Sequence, residues 1–162
     1  HFLGNRALAA DPRSPVVGER MKPSRITIEI PGVPIAKKRP RFFRKGEHVG
    51  TYNAQETEEG KFMWHVKSQL NGHQIIPAGT PIRIECWFLM PVPKSMLKGL
   101  QGQVRANLDP VPHVKKPDLD NLLKFVKDCL NGIVWADDAQ VARISAFKVY
   151  SFQPATIIKM WW

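Results

Sequence analysis

The sequence predicts a small mixed α/β domain of the α+β kind, a β-sheet carrying two main helices in the order β-α-β-loop-α-β-β. Three observations predict it. Two segments alternate apolar and polar residues with period two, as half-buried strands do. One segment repeats its apolar residues at i, i+3, i+4 and i+7, as a core-facing helix does. A total of 162 residues with 43% apolar composition can bury one core, which is the usual extent of a single domain.

Each element can be justified in order. Residues 1–20 show neither periodicity nor the apolar stretch of a signal peptide, so they read as a leader or non-native extension outside the fold. The domain is expected over 21–162. Ile26, Ile28 and Ile30 alternate with Arg25, Thr27 and Glu29, and Pro31, Gly32 and Pro34 end that strand. Asn53, with Glu56 three residues on, resembles a capping box. Phe62, Val66 and Leu70 then recur every fourth residue, which predicts a helix over about 54–70, weakened by Gly60. Glu58 and Glu59 near its start read as surface charges that offset the helix dipole. Ile82, Ile84, Cys86 and Phe88 form the inward side of a second strand. A proline-rich connection over 91–117 follows, and Lys94–Leu100 has room for one helical turn. Leu119, Leu122, Leu123, Val126, Leu130 and Ile133 share one helical face, started by Pro117-Asp118 and stopped by Asn131-Gly132. Val141–Tyr150 and Thr156–Met160 read as the last strands, with Pro154 at the turn between them.

Charge narrows the function. The chain carries 24 Lys and Arg against 14 Asp and Glu, a net +10. Such an excess points to a polyanionic partner, nucleic acid first. Two cysteines, Cys86 and Cys129, make neither a disulfide framework nor a cysteine zinc site. No apolar run reaches the ~18 residues of a membrane span. The excess is also uneven: residues 22–50 hold eight cations and two acids, whereas residues 118–162 hold five of each. Lys37-Lys38-Arg39-Pro40-Arg41-Phe42-Phe43-Arg44-Lys45 interleaves six cations with two aromatics. It suits a phosphate backbone or an unstacked base, and it reads equally as a mobile basic hairpin.

The acids gather where the cations thin out. Asp118-Leu119-Asp120-Asn121 opens the second helix, and Asp137-Asp138 follows its end. Carboxylates at such a place suit Mg²⁺, which takes carboxylate oxygens, water and substrate phosphate during phosphodiester hydrolysis. Lys124, one turn after Asp120, can meet a scissile phosphate or pair with Asp120 or Asp128. Plainer roles fit the same residues: Asp118 as a helix cap and Asp137-Asp138 as a turn. A helix of about 14 residues spans roughly 21 Å, so its two ends cannot meet unless the chain returns, the helix is shorter, or a second subunit contributes.

The wording of this region goes further. Lys116-Pro117-Asp118-Leu119-Asp120-Asn121-Leu122-Leu123-Lys124, then Asp128-Cys129-Leu130-Asn131-Gly132, then Val134-Trp135-Ala136-Asp137-Asp138-Ala139-Gln140-Val141, resembles the signature of the RusA family of Holliday junction resolvases. The likeness extends more loosely over residues 25–160. It implies a RusA-like fold, a homodimer, and Mg²⁺- or Mn²⁺-dependent cutting of four-way DNA junctions in a bacterial cytoplasm, host- or prophage-encoded. It implies Asp118, Asp120 and Asp138 as metal-binding acids and Lys124 as the lysine that offsets transition-state charge. Asn121 and Asp137 would stand behind them. Lys37, Lys38, Arg39, Arg41, Lys115 and Lys116 would grip the backbone, and His113 would touch a phosphate. His65 is expected to be structural. The alternatives are a branched-DNA-binding protein without catalysis, or a nuclease of the same fold with another branched substrate.

Overall fold

The computed structural model describes residues 24–39, 41–46, 48–70, 72, 76–97 and 110–162. The expected leader, residues 1–20, and the middle of the proline-rich connection lie outside them. Among the described residues eight strands and helices follow in order: β1 (Arg25–Pro31), β2 (Arg41–Lys45), β3 (His48–Tyr52), α1 (Glu56–Leu70), β4 (Ile82–Pro91), α2 (Leu119–Leu130), β5 (Val141–Ser151) and β6 (Ala155–Trp161). This is the expected mixed sheet with two helices, plus the hairpin β2–β3. That hairpin forms its own two-stranded sheet, pairing Arg41 with Tyr52 and Lys45 with His48. Short 3₁₀ turns lie at Lys94–Met96 and Asp138–Gln140.

The main sheet has the order β1-β6-β4-β5. β6 runs antiparallel to both β1 and β4, and β4 runs parallel to β5. Parallel neighbours need a crossover, which α2 supplies. The period-two pattern decides which face of the sheet is covered. Ile28, Ile84, Phe88, Ile158 and Met160 point to one side and are buried with Phe62 and Val66 of α1 and Leu122, Phe125 and Val126 of α2. Phe62 and Phe125 meet edge to face at 5.3 Å, locking the two helices together. Cys86 and Cys129 are free and buried in this core, and burial pushes each thiol up to about 12.

Local chemistry ends each helix. Asn53 does not form the expected box with Glu56. Its carbonyl oxygen accepts from the Gln55 N–H at 3.0 Å, and its amide donates to Glu59 at 2.7 Å. Gln55 is the buried residue that starts α1: it accepts from the Lys38 N–H and donates to the Ala36 carbonyl. α2 stops where sequence places its stop, with Gly132 in the left-handed region at φ 75°. At the β1 border of the sheet, the Gln69 side-chain amide of α1 accepts from the Glu29 N–H at 2.9 Å and donates to the Glu29 carbonyl at 2.7 Å. The outer edge of β1 is therefore capped there by a side chain that imitates a neighbouring strand.

Candidate active site

A tight return after α2 brings Asp138 back toward that helix. Gly132 N–H donates to the Trp135 carbonyl, and Asn131 bridges Trp135. Trp135 is fully buried, and its indole N–H donates to Asp138 Oδ1 at 2.8 Å. The second carboxylate oxygen of Asp138 lies 3.4 Å from Lys127 Nζ. Asp138 thus returns to the flank of α2, near its last turn, and does not reach the helix start. The gap between the helix ends is closed only this far.

Asp120, Lys124, Lys127, Asp128 and Asp138 line one shallow pocket of about 380 Å³ together with Leu123 and with Ile144 of β5. Lys124 is exposed, lines the pocket and makes no ion pair among the described residues. Asp128, a conceivable partner for it, is turned instead toward Lys37 at 2.9 Å. Asp118 holds the N-cap position of α2, but its side chain makes no capping bond. Its exposed carboxylate is therefore not consumed by the helix, as a simple cap would be. Among the residues lining the pocket Asp118 is absent, and the described residues gather no set of three or more metal-binding side chains.

Asp137 and Asp138 have separate jobs. Asp137 caps the 3₁₀ turn: its carboxylate accepts from the Ala139 N–H, and Gln140 reaches back to the Asp137 N–H. Gln140 is buried and also donates to the Pro77 and Thr80 carbonyls. This ties the turn to the chain leading into β4. Only Asp138 of the pair faces the pocket.

The segment entering α2 is held by a residue that no motif marks. Lys148 Nζ donates to the Lys115 carbonyl at 2.7 Å and the Pro117 carbonyl at 2.6 Å. Lys148 pairs with Phe88 across β4–β5, so it sits on the covered side of the sheet. A lysine at an inward strand position was the available signal. Lys115 and Lys116 themselves are exposed. His113 differs from the expected free phosphate contact. Its ring lies against Tyr150 at 4.7 Å, and its Nδ1 is enclosed without a partner. Burial, then the neighbouring Lys148 charge, holds its pKa below the usual histidine value.

The basic segment is likewise divided. Lys37 is anchored inward: its ammonium lies 2.9 Å from both Glu59 and Asp128, and its N–H donates to the Asn121 carbonyl. Burial works against that charge, but the hydrogen bonds to Asp128 and Glu59 prevail and raise its pKa. Lys37 therefore braces α1 against α2, contrary to its expected place on an open DNA surface, because two carboxylates already occupy it. Lys38 is exposed and pairs with Glu58. Glu58 and Glu59 are thus ion-pair partners as well as dipole-offsetting charges. Arg39 is exposed, and Arg41 opens β2. Of Asn121, the carbonyl that receives Lys37 is the group with a defined role.

The chain matches the family described as Endodeoxyribonuclease RusA over residues 31–160. It is also similar to YqaN, an uncharacterised protein of Bacillus subtilis (strain 168). The two are 31% identical over 130 residues, spanning 80% of this chain and 90% of that protein.

Proposed function

Because the chain belongs to the RusA endodeoxyribonuclease family, we propose that it resolves four-way DNA junctions, acting as a homodimer that makes paired symmetric nicks with Mg²⁺ or Mn²⁺ in a bacterial cytoplasm. The observation that supports this reading best is the pocket on which Asp120, Asp138 and Lys124 converge. Mg²⁺ commonly takes only one or two carboxylates and leaves its other positions to water and substrate phosphate. Of the three carboxylates on this open wall Asp128 is held by Lys37, and the two that are left fit that habit better than they would fit a zinc or calcium cage. Asp120 and Asp138 would hold the cation, with Asp118 at the mouth of α2 as the third acid. When bound, the cation supplies positive charge to the phosphate oxygens during hydrolysis.

The rest is done by the chain itself. Trp135 and Lys127 orient the two oxygens of Asp138. Lys148 fixes the segment that delivers Asp118. Lys124 meets the phosphate as a point charge and offsets the negative charge that builds in the transition state. Lys38, Arg39, Arg41, Lys115 and Lys116 would grip the backbone, so binding falls steeply with salt. Lys37 and His113 support that surface from behind, and Asp137 and Asn121 shape the turns on either side of the acids. A two-fold dimer matches the two-fold symmetry of a four-way junction, which accounts for paired nicks.

The test is cleavage of a synthetic four-way junction against a matched linear duplex, with wild type and Asp120→Asn, in Mg²⁺ and in EDTA. Symmetric nicks in the junction alone, lost with the substitution or the chelator, are expected. Tight junction binding by wild type with no cut in Mg²⁺ or Mn²⁺ would instead make the protein a branched-DNA-binding module. Cleavage of flaps in preference to junctions would move the substrate and keep the chemistry.

A further inference from the structure

The register of the main sheet sorts its side chains into rows, and the rows on the face away from α1 and α2 have an unusual composition. Arg25 pairs with Trp161, Trp161 with Arg83, and Arg83 with Arg143. Paired residues point to the same side of a sheet, so one row reads Arg-Trp-Arg-Arg across all four strands. Two residues further along β4, Lys159, Glu85 and Ser145 form the next row, and the row after contains Trp87 beside Phe147.

Like charges on directly paired strand positions repel, so the Arg83–Arg143 pair needs a counter-ion. The fold supplies little. Glu85 is 4.0 Å from Arg83, but it also serves Lys159 at 3.4 Å and accepts from the Trp87 indole at 2.8 Å. Arg143 is exposed and makes no ion pair among the described residues. The Arg83 guanidinium lies 4.8 Å above the Trp161 ring, a weakly hydrated cation on an aromatic plane. Trp87 and Phe147 stack at 4.3 Å and 20°, and Phe147 keeps 39% of its surface exposed. Cations beside flat rings on an open sheet face are what a nucleic-acid strand with accessible bases requires: guanidinium for phosphate and aromatic faces for stacking.

We propose that this helix-free face is a second nucleic-acid surface, in which the Arg25-Trp161-Arg83-Arg143 row takes the backbone of a DNA strand and Phe147 takes an unstacked base. It rests on the reading of the protein as a junction nuclease and adds to it a contact on the sheet face opposite α2. Such a contact would hold an arm of the substrate that does not enter the catalytic pocket.

The experiment measures binding of a fluorescent four-way junction and of a short oligothymidine in EDTA, over a salt series, for wild type, Arg83→Gln/Arg143→Gln and the charge-keeping Arg83→Lys/Arg143→Lys. Each lost phosphate contact removes about 0.9 from the slope of log affinity against log salt on duplex DNA. The Gln pair should lower the slope by about 1.8, so between 50 and 200 mM salt wild type loses about twelvefold more affinity than the variant. The Lys pair should restore the slope, and Arg25→Gln, at the sheet edge, should lower it by about 0.9. Phe147→Ala should weaken the oligothymidine more than the junction. An unchanged slope in folded Gln variants overturns the proposal. If those variants instead lose a dimer in sedimentation with the slope intact, the face belongs to a second copy and the DNA assignment falls. Cleavage by wild type in Mg²⁺, run alongside, separates the two readings: if wild type neither binds nor cuts, the nuclease reading fails first.

Discussion

Trp135→Phe is the substitution that isolates one contact of the site. It keeps a ring in the core and removes the indole N–H that donates to Asp138 Oδ1 at 2.8 Å. A hydrogen bond to a charged group contributes about 1.5–3 kcal/mol. Asp138 is about a third exposed, with 32% of its side chain open, so water replaces part of that bond and the lower end applies. The missing outer ring of a fully buried tryptophan leaves a void worth about 1 kcal/mol more. The expected cost in urea unfolding is therefore about 2–3 kcal/mol. Function should suffer separately. Asp138 would keep only Lys127 as a partner and lose the bond that fixes its orientation in the pocket. Loss of such an orienting bond costs a metal site about 10–100-fold in affinity or activity. Junction cleavage across a Mg²⁺ titration should show the half-saturating concentration rising. Asp138→Asn supplies the control: added to Trp135→Phe, it should produce no further loss of cleavage beyond its own, because the two residues act as one unit. A variant that is destabilised but cleaves with wild-type Mg²⁺ dependence would refute the reasoning and make Trp135 a packing residue only.

Other expectations follow from the same contacts. Lys37→Met strands Glu59 and Asp128 between two helices and should cost about 1–3 kcal/mol in urea unfolding, below the range of a fully buried pair. Because the folded protein raises the Lys37 pKa, this stabilisation is complete below about pH 10.5 and disappears as pH rises through the folded value; a pH series of wild type against the variant reads it directly. His113 behaves in the opposite sense: its pKa is held low by burial and by Lys148, so its contribution is present above about pH 6.5 and is lost as pH falls toward the folded value, which histidine NMR alongside unfolding would follow. With thiols pushed up to about 12, Cys86 and Cys129 should resist alkylation at pH 8 until urea unfolds the chain. Lys148→Met should leave the Lys115 and Pro117 carbonyls short of a donor, costing about 1–3 kcal/mol and slowing junction cleavage, with Lys148→Arg restoring part of both.

Much of this was legible because it is periodic. Ile26-Ile28-Ile30 and Ile82-Ile84-Cys86-Phe88 announce half-buried strands, and the Leu119–Ile133 face announces α2, which ends at Leu130, three residues before the last position of that face. The hairpin β2–β3 carries no such alternation, since Lys37–Lys45 sets six cations around one proline and two adjacent phenylalanines, and its form depends on pairing with His48–Tyr52. Sheet order was hidden for a different reason: β6 inserts between β1 and β4, a choice made by distant partners. The site divides in the same way. Asp118, Asp120 and Lys124 are placed by one helix, and one helix can be read from spacing. Asp138 depends on the Asn131–Trp135 return, and its oxygens are aimed by Trp135 and Lys127. Lys37 looked like a DNA contact because its neighbours are basic, whereas its real partners sit on two other elements. Local sequence cannot rank a phosphate against a carboxylate that arrives only on folding.

The glutamine cap on β1 limits how copies of this chain can join through their sheets. Exposed strand edges recruit further strands. Gln69 fills both hydrogen-bonding groups of Glu29 on one border, while residues 111–113 take the C-terminal stretch of β5 on the other through His113 and Tyr150. Among the described residues the first part of β5 stays open on one border, and Arg25 and Thr27 stay open on the other. Each cap shortens the run of backbone that a neighbouring strand could pair with. Joining through either border would therefore rest on a few residues instead of a full strand length.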